Sequence, residues 1–427
     1  MKHKIQIDRV YLFDPAAWGI VRAKIGGMPS DSVIQAAITK AVKKYEMLNC
    51  SITQDESGEC YYSPNKQWSA PDITFVSQKL TEETIFHEQK SRLFNFQHDK
   101  LIRFVVNTEP SGLYLTIIQH HLTGDGESIL LLLQDIMKFM QEDLKPDSED
   151  TEPEQQVPIK LYTSEYLKQF ITPAPDYNKI LKEINDEWSS LHSIYRFEDY
   201  HILCQKHAAN KEIGIKTAKI TDYAYTAFCR KCKANNVTVN SALTTMIVKH
   251  LRTIENLAMA VSIRTKDFPG MGNYVSAISG NYTYNQNDSF WNNARQISKT
   301  VSKKLENRMA LSLPLFYKGL CHTGIQDAPK FGVTNDCIRK FSELTGPGTG
   351  GYPVFISNLG NSRIAADYGK YSIQELSVIS PPLTGLFGNI CIISIRNCMT
   401  LNMVYQKNEI DYPELFDSII RQINQLI

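Results

Sequence analysis

The sequence predicts an α+β fold built from two lobes, each a mixed β-sheet with flanking helices. At 427 residues the chain is long for one hydrophobic core, so two domains are expected. Strand-like and helix-like segments are mixed through both halves, without the regular strand–helix–strand alternation of a doubly wound sheet. Residues 142–157 are dense in Asp, Glu and Pro, which predicts a solvated connection. We therefore place the first lobe at residues 1–160 and the second at residues 161–427.

The first lobe opens with a helix and a pair of strands. Residues 30–48 predict an amphipathic helix, because Ile34, Ile38 and Val42 share one face and lysines lie opposite. Residues 50–53 and 60–63 predict two short strands joined by a turn.

The central motif lies between a predicted strand at residues 113–119 and a predicted helix at residues 129–137. Residues 120–126 read His-His-Leu-Thr-Gly-Asp-Gly. A junction of this kind presents His121 from a rigid strand end, and its glycines let the backbone turn tightly and approach a substrate. An imidazole held there can take a proton from an alcohol or amine near neutral pH.

Two other interpretations of the motif stand beside this one. Both histidines could be structural residues at a strand end, with Asp125 as the N-cap of the next helix. Capping accounts for Asp125 but not for two adjacent histidines. A metal site is not predicted, because adjacent strand residues point to opposite faces and no H-E-x-x-H or similar spacing occurs.

The second lobe begins with helices. Residues 221–234 predict one helix, and residues 238–241 start another, with Asn240 as the expected N-cap. An apolar run at residues 259–263 ends at Arg264.

The last quarter of the chain predicts strands and a closing helix. Residues 352–356 form a predicted strand that leads into Ser357 and Asn358. A hairpin is expected from residues 391–405, with its turn at Arg396, and a helix from residues 413–427.

Two further patterns resemble a metal or redox site and a nucleotide site. Cys229 and Cys232 form a C-x-x-C, but a second ligand pair is missing, so neither zinc nor redox chemistry is expected. Residues 346–351 are glycine-rich, yet a strand follows and no Gly-Lys-Ser/Thr is present, so a loop is predicted rather than a nucleotide site.

Composition excludes several classes of protein. A net charge of +1 argues against a nucleic-acid partner, for which a basic stripe is expected. The nine cysteines are an odd number and lack the spacing pattern of a disulfide-bonded protein. They indicate free thiols in a reducing compartment. The first residues lack the apolar core of a signal peptide, and no apolar stretch is long enough for a transmembrane segment. A cytoplasmic location is expected.

With H-H-x-x-x-D-G at residues 120–126, the chain resembles the chloramphenicol acetyltransferase-like superfamily. This superfamily includes the condensation domains of nonribosomal peptide synthetases and stand-alone alcohol and polyketide-associated acyltransferases. The helix at Asn240, residues 261–264, residues 272–273 and residues 357–360 follow in the family's order across nearly the whole chain. The resemblance implies two lobes that form a V, with a tunnel at their interface where donor thioester and acceptor enter from opposite faces.

The resemblance also implies roles for particular residues. His121 matches the family's catalytic histidine, and His120 matches its less essential neighbour. Asp125 matches an aspartate that points away from the substrate and pairs with an arginine, for which Arg264 is the candidate.

Acyl transfer from a thioester would pass through a tetrahedral intermediate with a negatively charged oxygen, the oxyanion. The sequence does not identify the residue that would stabilise it. Ser357 and Asn358 match a segment that approaches the tunnel, and a backbone amide near Gly126 is a further candidate. A strand-terminating turn is the structural alternative for Ser357 and Asn358.

The resemblance implies a stand-alone acyltransferase with His121 as general base and a small-molecule alcohol or amine as acceptor. Acyl-CoA, or a phosphopantetheine thioester on an acyl or peptidyl carrier protein, would be a co-substrate rather than a resident cofactor. The D-F-G-W-G signature of the plant branch is absent. Two alternatives stand: condensation-type ester or amide formation between carrier-bound substrates in natural-product biosynthesis, and a non-catalytic scaffold that binds carriers.

Overall fold

The computed structural model describes residues 2–65, 69–92, 94–110, 112–142, 156–172, 175–191, 193–210, 212–346 and 348–427. Most of the predicted acidic connection, and Pro347 of the glycine-rich segment, lie outside these residues. Before residue 212 the elements are β1 (His3–Lys4), α1 (Arg9–Leu12), β2 (Trp18–Gly26), α2 (Asp31–Lys44), β3 (Cys50–Gln54), β4 (Cys60–Pro64), β5 (Asp72–Val76), α3 (Glu82–Lys90), β6 (Ile102–Glu109), β7 (Gly112–His120), α4 (Gly126–Gln141), α5 (Ser164–Leu167), α6 (Pro175–Leu191) and α7 (Phe197–Ala209). After it they are β8 (Ile213–Thr221), α8 (Asp222–Ala234), α9 (Val239–Leu251), β9 (Thr253–Ser262), β10 (Val275–Thr283), α10 (Phe290–Leu305), α11 (Arg308–Lys318), α12 (Thr323–Asp327), α13 (Asp336–Thr345), β11 (Phe355–Asn361), β12 (Asp367–Tyr368), β13 (Tyr371–Ile379), β14 (Gly388–Ile395), β15 (Cys398–Gln406) and α14 (Tyr412–Leu426).

Two six-stranded mixed sheets organise the fold. The first has the order β12-β13-β2-β7-β6-β5, and the second has the order β10-β9-β11-β14-β15-β8. Each contains a parallel pairing, β5 with β6 in the first and β11 with both neighbours in the second. The α+β class and the two mixed-sheet lobes are therefore confirmed.

The first sheet takes two strands from the far end of the chain. β13 pairs antiparallel with β2, and β12 pairs with β13 at the sheet edge. The lobe limits of 1–160 and 161–427 stay a prediction. The structure adds that β12 and β13, from the second of these ranges, complete the first sheet. Residue alternation predicts that a strand forms but does not identify its partner.

β14 joins the hydrophobic cores of the two lobes. All of its residues are buried. Cys391, Ile393 and Ile395 pack into the first core, and Ile390 and Ile392 pack into the second. Because successive side chains of a strand point to opposite faces, this strand has apolar residues on both of its faces.

Two local expectations are wrong. Helix α9 is capped by Thr238, whose hydroxyl accepts a hydrogen bond from the Ser241 amide at 3.0 Å, so Asn240 lies inside the helix. Thr238 has extended backbone angles, which an N-cap requires and which the sequence did not reveal. The strand predicted at residues 352–356 instead runs from Phe355 to Asn361, so Ser357 and Asn358 lie within β11, and the alternative of a turn at these two residues does not hold.

All nine cysteines fall within the described ranges, and each is a free thiol. In the same ranges no helix is long and apolar enough to cross a membrane. No group of three or more His, Cys, Asp or Glu side chains in the described part of the chain is arranged to hold a metal ion.

Candidate active site

The motif folds as a tight turn between β7 and α4. The His121 amide donates to the Ala17 carbonyl at 2.8 Å, which fixes the turn to the start of β2. Gly124 has a φ of +151°, and a Cβ there would lie 2.5 Å from the Ser128 Cβ. Only glycine fits this position without strain.

His121 faces a cavity, and its imidazole is neutral. Its ring stacks on Tyr11 with centroids 5.0 Å apart, and its backbone carbonyl accepts a hydrogen bond from Asn273 Nδ2 at 2.5 Å. The side chain keeps partial exposure, and Nδ1 has no hydrogen-bond partner among the described residues. The dense protein surroundings disfavour the charged imidazolium and lower the pKa of His121. The ring is therefore unprotonated, and able to accept a proton, at neutral pH.

His120 points the other way and is structural. Its ring lies edge-on to Phe94 and Phe96, with centroids 5.7 Å and 5.2 Å away. Its Nδ1 accepts a hydrogen bond from the Leu122 amide at 3.1 Å. Burial lowers the pKa of His120 well below the usual imidazole range. The opposite orientations of the two histidines follow from the alternation of a strand.

Asp125 is both the N-cap of α4 and part of a buried ion pair. Its Oδ1 accepts from the Ser128 amide at 2.8 Å, which is the capping contact. The same oxygen lies 3.0 Å from Arg264 Nη2, and Oδ2 accepts from the Tyr274 amide at 3.0 Å. The capping and ion-pair interpretations of this residue are therefore compatible.

Arg264 ties the motif to the loop that follows β9. Its Nη1 donates to the carbonyls of Gly270 and Phe268 at 2.7 Å and 3.1 Å. Its guanidinium lies over the Tyr274 ring, 4.3 Å from the centroid. Residues 139 positions apart are thus held in one polar cluster, in which the carboxylate of Asp125 faces away from free solvent.

A cavity of about 1580 Å³ lies between the two sheets. Most small-molecule sites are smaller, at about 300 to 1,000 Å³, so this cavity has room for two substrates. Of the residues predicted from sequence, His121, Asp125, Gly126, Ser357 and Asn358 line it. His120 and Arg264 are not among the lining residues.

Gly126 allows the two lobes to approach closely. A Cβ at this position would lie 2.8 Å from the Leu359 Cδ2 of β11. This contact brings the start of α4 against the strand that carries Ser357 and Asn358.

Ser357 has the more available donor of the two strand residues. Asn358 Nδ2 donates to Asn240 Oδ1 at 3.1 Å, and its Oδ1 accepts from the Gly360 amide at 2.8 Å. The Ser357 hydroxyl makes no hydrogen bond to any described residue, so its proton remains available to a ligand in the cavity.

Sequence reasoning missed three side chains of the cavity, two of which, Tyr11 and Asn273, contact His121. Tyr11 lies on the four-residue helix α1, Asp8 precedes it, and Asn273 bonds the His121 carbonyl. Asp8 is 7% exposed, and burial raises the pKa of its carboxyl to about 7. No local pattern marks Asp8 or Tyr11, because tertiary packing alone brings them to the motif.

Replacing Tyr11 with leucine is expected to lower kcat/KM by about 2- to 10-fold, because a stacked aromatic pair contributes about 0.5 to 1.5 kcal/mol. Tyr11→Phe keeps the ring and should retain nearly full activity. Steady-state kinetics of both variants check this prediction. An equal loss in the two variants would contradict it and would point to the hydroxyl group instead.

No protein-family model matches the sequence, and no curated protein matches it either. Polyketide synthase associated protein 5 from Mycobacterium tuberculosis is similar in structure, with a TM-score of 0.63 and 12% identity over 99% of this chain and 98% of that chain. The trichothecene 15-O-acetyltransferase TRI3 from Fusarium sporotrichioides has a TM-score of 0.66 and 11% identity over 100% of this chain and 95% of that chain. The first condensation domain of the CDA synthetase has a TM-score of 0.65 and 13% identity over 100% of this chain and 96% of that chain.

Proposed function

Since the chain has the two-lobed fold of the chloramphenicol acetyltransferase-like proteins, we propose that it is an acyltransferase with His121 as general base. It would move an acyl group from a thioester to an alcohol or amine. The observation that carries the proposal is the neutral, partly exposed imidazole in a cavity with room for two substrates.

The proposed reaction is a direct transfer. The imidazole of His121 takes the proton of the acceptor as its oxygen or nitrogen attacks the thioester carbonyl carbon. The tetrahedral oxyanion then collapses, the carbon–sulfur bond breaks, and the imidazolium returns the proton to the leaving thiolate. The Ser357 hydroxyl is our proposed donor to the oxyanion, because it lines the cavity and makes no hydrogen bond to a described residue.

Asp125 and Arg264 are proposed as positioning residues. Their ion pair fixes the N-terminus of α4 to the loop after β9, and that loop also carries Asn273. The pair therefore braces the backbone from which His121 extends, without contacting a substrate.

The donor is proposed to be acyl-CoA or an acyl group on a carrier protein. Condensation between two carrier-bound substrates is the second candidate, favoured by the structural similarity to a condensation domain. A non-catalytic carrier-binding role is the third candidate. It fits less well, because the buried Asp125 and Arg264 pair would then be retained without a catalytic task.

Thiol release by the purified protein tests the proposal. Acetyl-, octanoyl- and palmitoyl-CoA would be offered with a mixed panel of alcohols and amines. Acceptor-dependent release from free thioesters supports the first candidate. The same acyl groups would also be offered on a carrier protein. Release to free acceptors from either kind of donor supports an acyltransferase, release only when the acceptor is carrier-bound too supports condensation, and no release from either donor contradicts an acyltransferase.

The activity is expected to persist at pH values below 6.5, the ordinary imidazole pKa, because the pKa of His121 is lowered. The neutral ring is the base, so the rate falls only when the pH drops through this lowered pKa. A pH profile of kcat/KM checks the prediction, and an acid limb centred above 6.5 would contradict it. Asp8→Asn is the matched control, because the pKa of Asp8 is about 7 and its ionisation must not be mistaken for that of His121.

A further inference from the structure

One wall of the cavity is an apolar helix face that ends in a lysine. Leu311, Pro314, Leu315 and Lys318 of α11 all line the cavity at helical spacing. Helix α13 adds Phe341 and other apolar side chains to the same wall. A ligand along this wall would need an apolar body, and at Lys318 it would meet a charged group.

The Lys318 ammonium has no counter-ion in the described part of the chain. It forms no ion pair and donates no hydrogen bond to a described residue, although it lines the cavity. Burial lowers the pKa of Lys318 to about 8. The Lys318 side chain is partly exposed in the cavity, where an ammonium with no carboxylate beside it is available to an anionic ligand.

Lys330 is a second lysine of this cavity that lacks a carboxylate partner. Its side chain is 9% exposed, and its ammonium donates to the carbonyl oxygens of Gln326 and Arg9 at 2.6 Å and 3.3 Å. Lys318 lies close enough to disfavour the charge on Lys330, although burial is the larger cause of its lowered pKa.

The carboxylates that act on Lys330 are committed elsewhere. Asp327 is held by Arg9, with contacts of 2.9 Å to Oδ1 and 2.6 Å to Oδ2. Asp14 accepts hydrogen bonds from the backbone amides of Ala16 and Thr384 at 2.9 Å and 2.7 Å. Arg9 and Lys330 thus share Asp327, and Lys318 has no carboxylate partner among the described residues, so both lysines can accept an anion.

The lysines and His121 are connected through α1. The Arg9 carbonyl of this helix accepts from Lys330, and Tyr11, two residues later, stacks on His121. Both lysines and His121 line the same cavity, so one elongated molecule can contact the lysines and the imidazole together.

We propose that Lys318 and Lys330 form an anion-binding subsite that holds the carboxylate or phosphate of a substrate with an apolar body. The inference rests on the proposed acyl transfer and adds the class of substrate. An oxyanion would accept hydrogen bonds from both ammonium groups and would compensate their charge in a site of low polarity.

Direct binding tests the subsite without requiring turnover. Octanoate, octyl phosphate and 1-octanol would be titrated calorimetrically into the wild type, Lys318→Met and Lys231→Met. Lys231 is an exposed lysine of α8 outside the cavity and serves as the control. We expect the Lys318 change to raise the Kd of both anions by about 10- to 100-fold and to leave that of 1-octanol unchanged. Wild-type binding of octanoate no tighter than that of octanol, or equal effects of the two lysine changes, would overturn the proposal.

Charge reversal and turnover complete the test. Lys318→Glu should bind octyltrimethylammonium in preference to octanoate, and circular dichroism would establish that the variant is folded. In transfer assays, Lys318→Met should weaken the apparent affinity for ω-hydroxyoctanoate if the anion is an acceptor carboxylate, and for acetyl-CoA if it is the donor phosphate. Absence of turnover in the wild type would count against the acyltransferase proposal, whereas absence of anion preference in calorimetry would count against the lysine subsite.

Discussion

Replacing His121 with alanine is expected to lower kcat/KM by about 100- to 10,000-fold, the usual contribution of a positioned general base. The fold should survive, because the His121 ring lies partly exposed in the cavity and Nδ1 bonds no described residue. The backbone contacts of His121 with Ala17 and Asn273 do not depend on its side chain. Steady-state kinetics and thermal melting of the same preparation measure both effects.

His120 is the matched control for this experiment, because it is the same residue type at the adjacent position. His120→Ala removes a ring packed against Phe94 and Phe96 and should mainly reduce the free energy of unfolding. If His120→Ala abolished turnover in a fully folded protein while His121→Ala remained active, the roles assigned to the two histidines would be reversed.

Replacing Asp125 with alanine is expected to lower the free energy of unfolding by up to about 3 to 5 kcal/mol, because it leaves the largely buried Arg264 with only the more exposed carboxylate of Glu127, 3.5 Å away, as its ionic partner. The same change removes the N-cap of α4, which contributes about 1 kcal/mol in typical proteins and overlaps with the first loss. Urea unfolding gives the size of the effect. Turnover should fall as well, because the turn that carries His121 loses its brace.

Asp125→Asn separates the two contributions. Asparagine can keep its one amide oxygen on the Ser128 amide, so the cap is kept while the negative charge and the acceptor of the Tyr274 amide are lost. We expect Asp125→Asn to be more stable than Asp125→Ala and less stable than the wild type. An alanine variant as stable as the wild type would contradict the bracing role of the ion pair.

The motif was predictable because its information is local. β-branched residues before His120 and helical spacing after Gly126 define a strand–turn–helix junction, and the structure has it at that place. Resemblance supplied Arg264 as the partner of Asp125, and the ion pair is present.

Long-range pairing accounts for what the sequence did not predict. β13 completes the sheet of the other lobe, and Tyr11 reaches His121 from a four-residue helix. Neither contact can be predicted from the spacing of residues in the sequence. The position of Lys318 on the cavity wall was equally unpredictable, because a lysine at the end of a helix ordinarily faces water.

Capping shows a subtler limit of sequence reasoning. Thr238 and Asn240 are both good N-cap residues, and they stand two positions apart. Backbone angles decide between them, and they select Thr238. Asn240 is then free to bond Asn358 across to β11, a contact that its expected capping role would have excluded.

Single-turnover mass spectrometry of the protein and the acceptor tests the central claim most directly. An acyl-CoA and an acceptor identified by thiol release would be mixed with the wild type and with His121→Ala. Direct transfer with His121 as base predicts acylated acceptor from the wild type, little from the variant, and no acylated protein in either sample. Acyl groups accumulating on a protein side chain, or acylated acceptor forming equally fast in the variant, would contradict it.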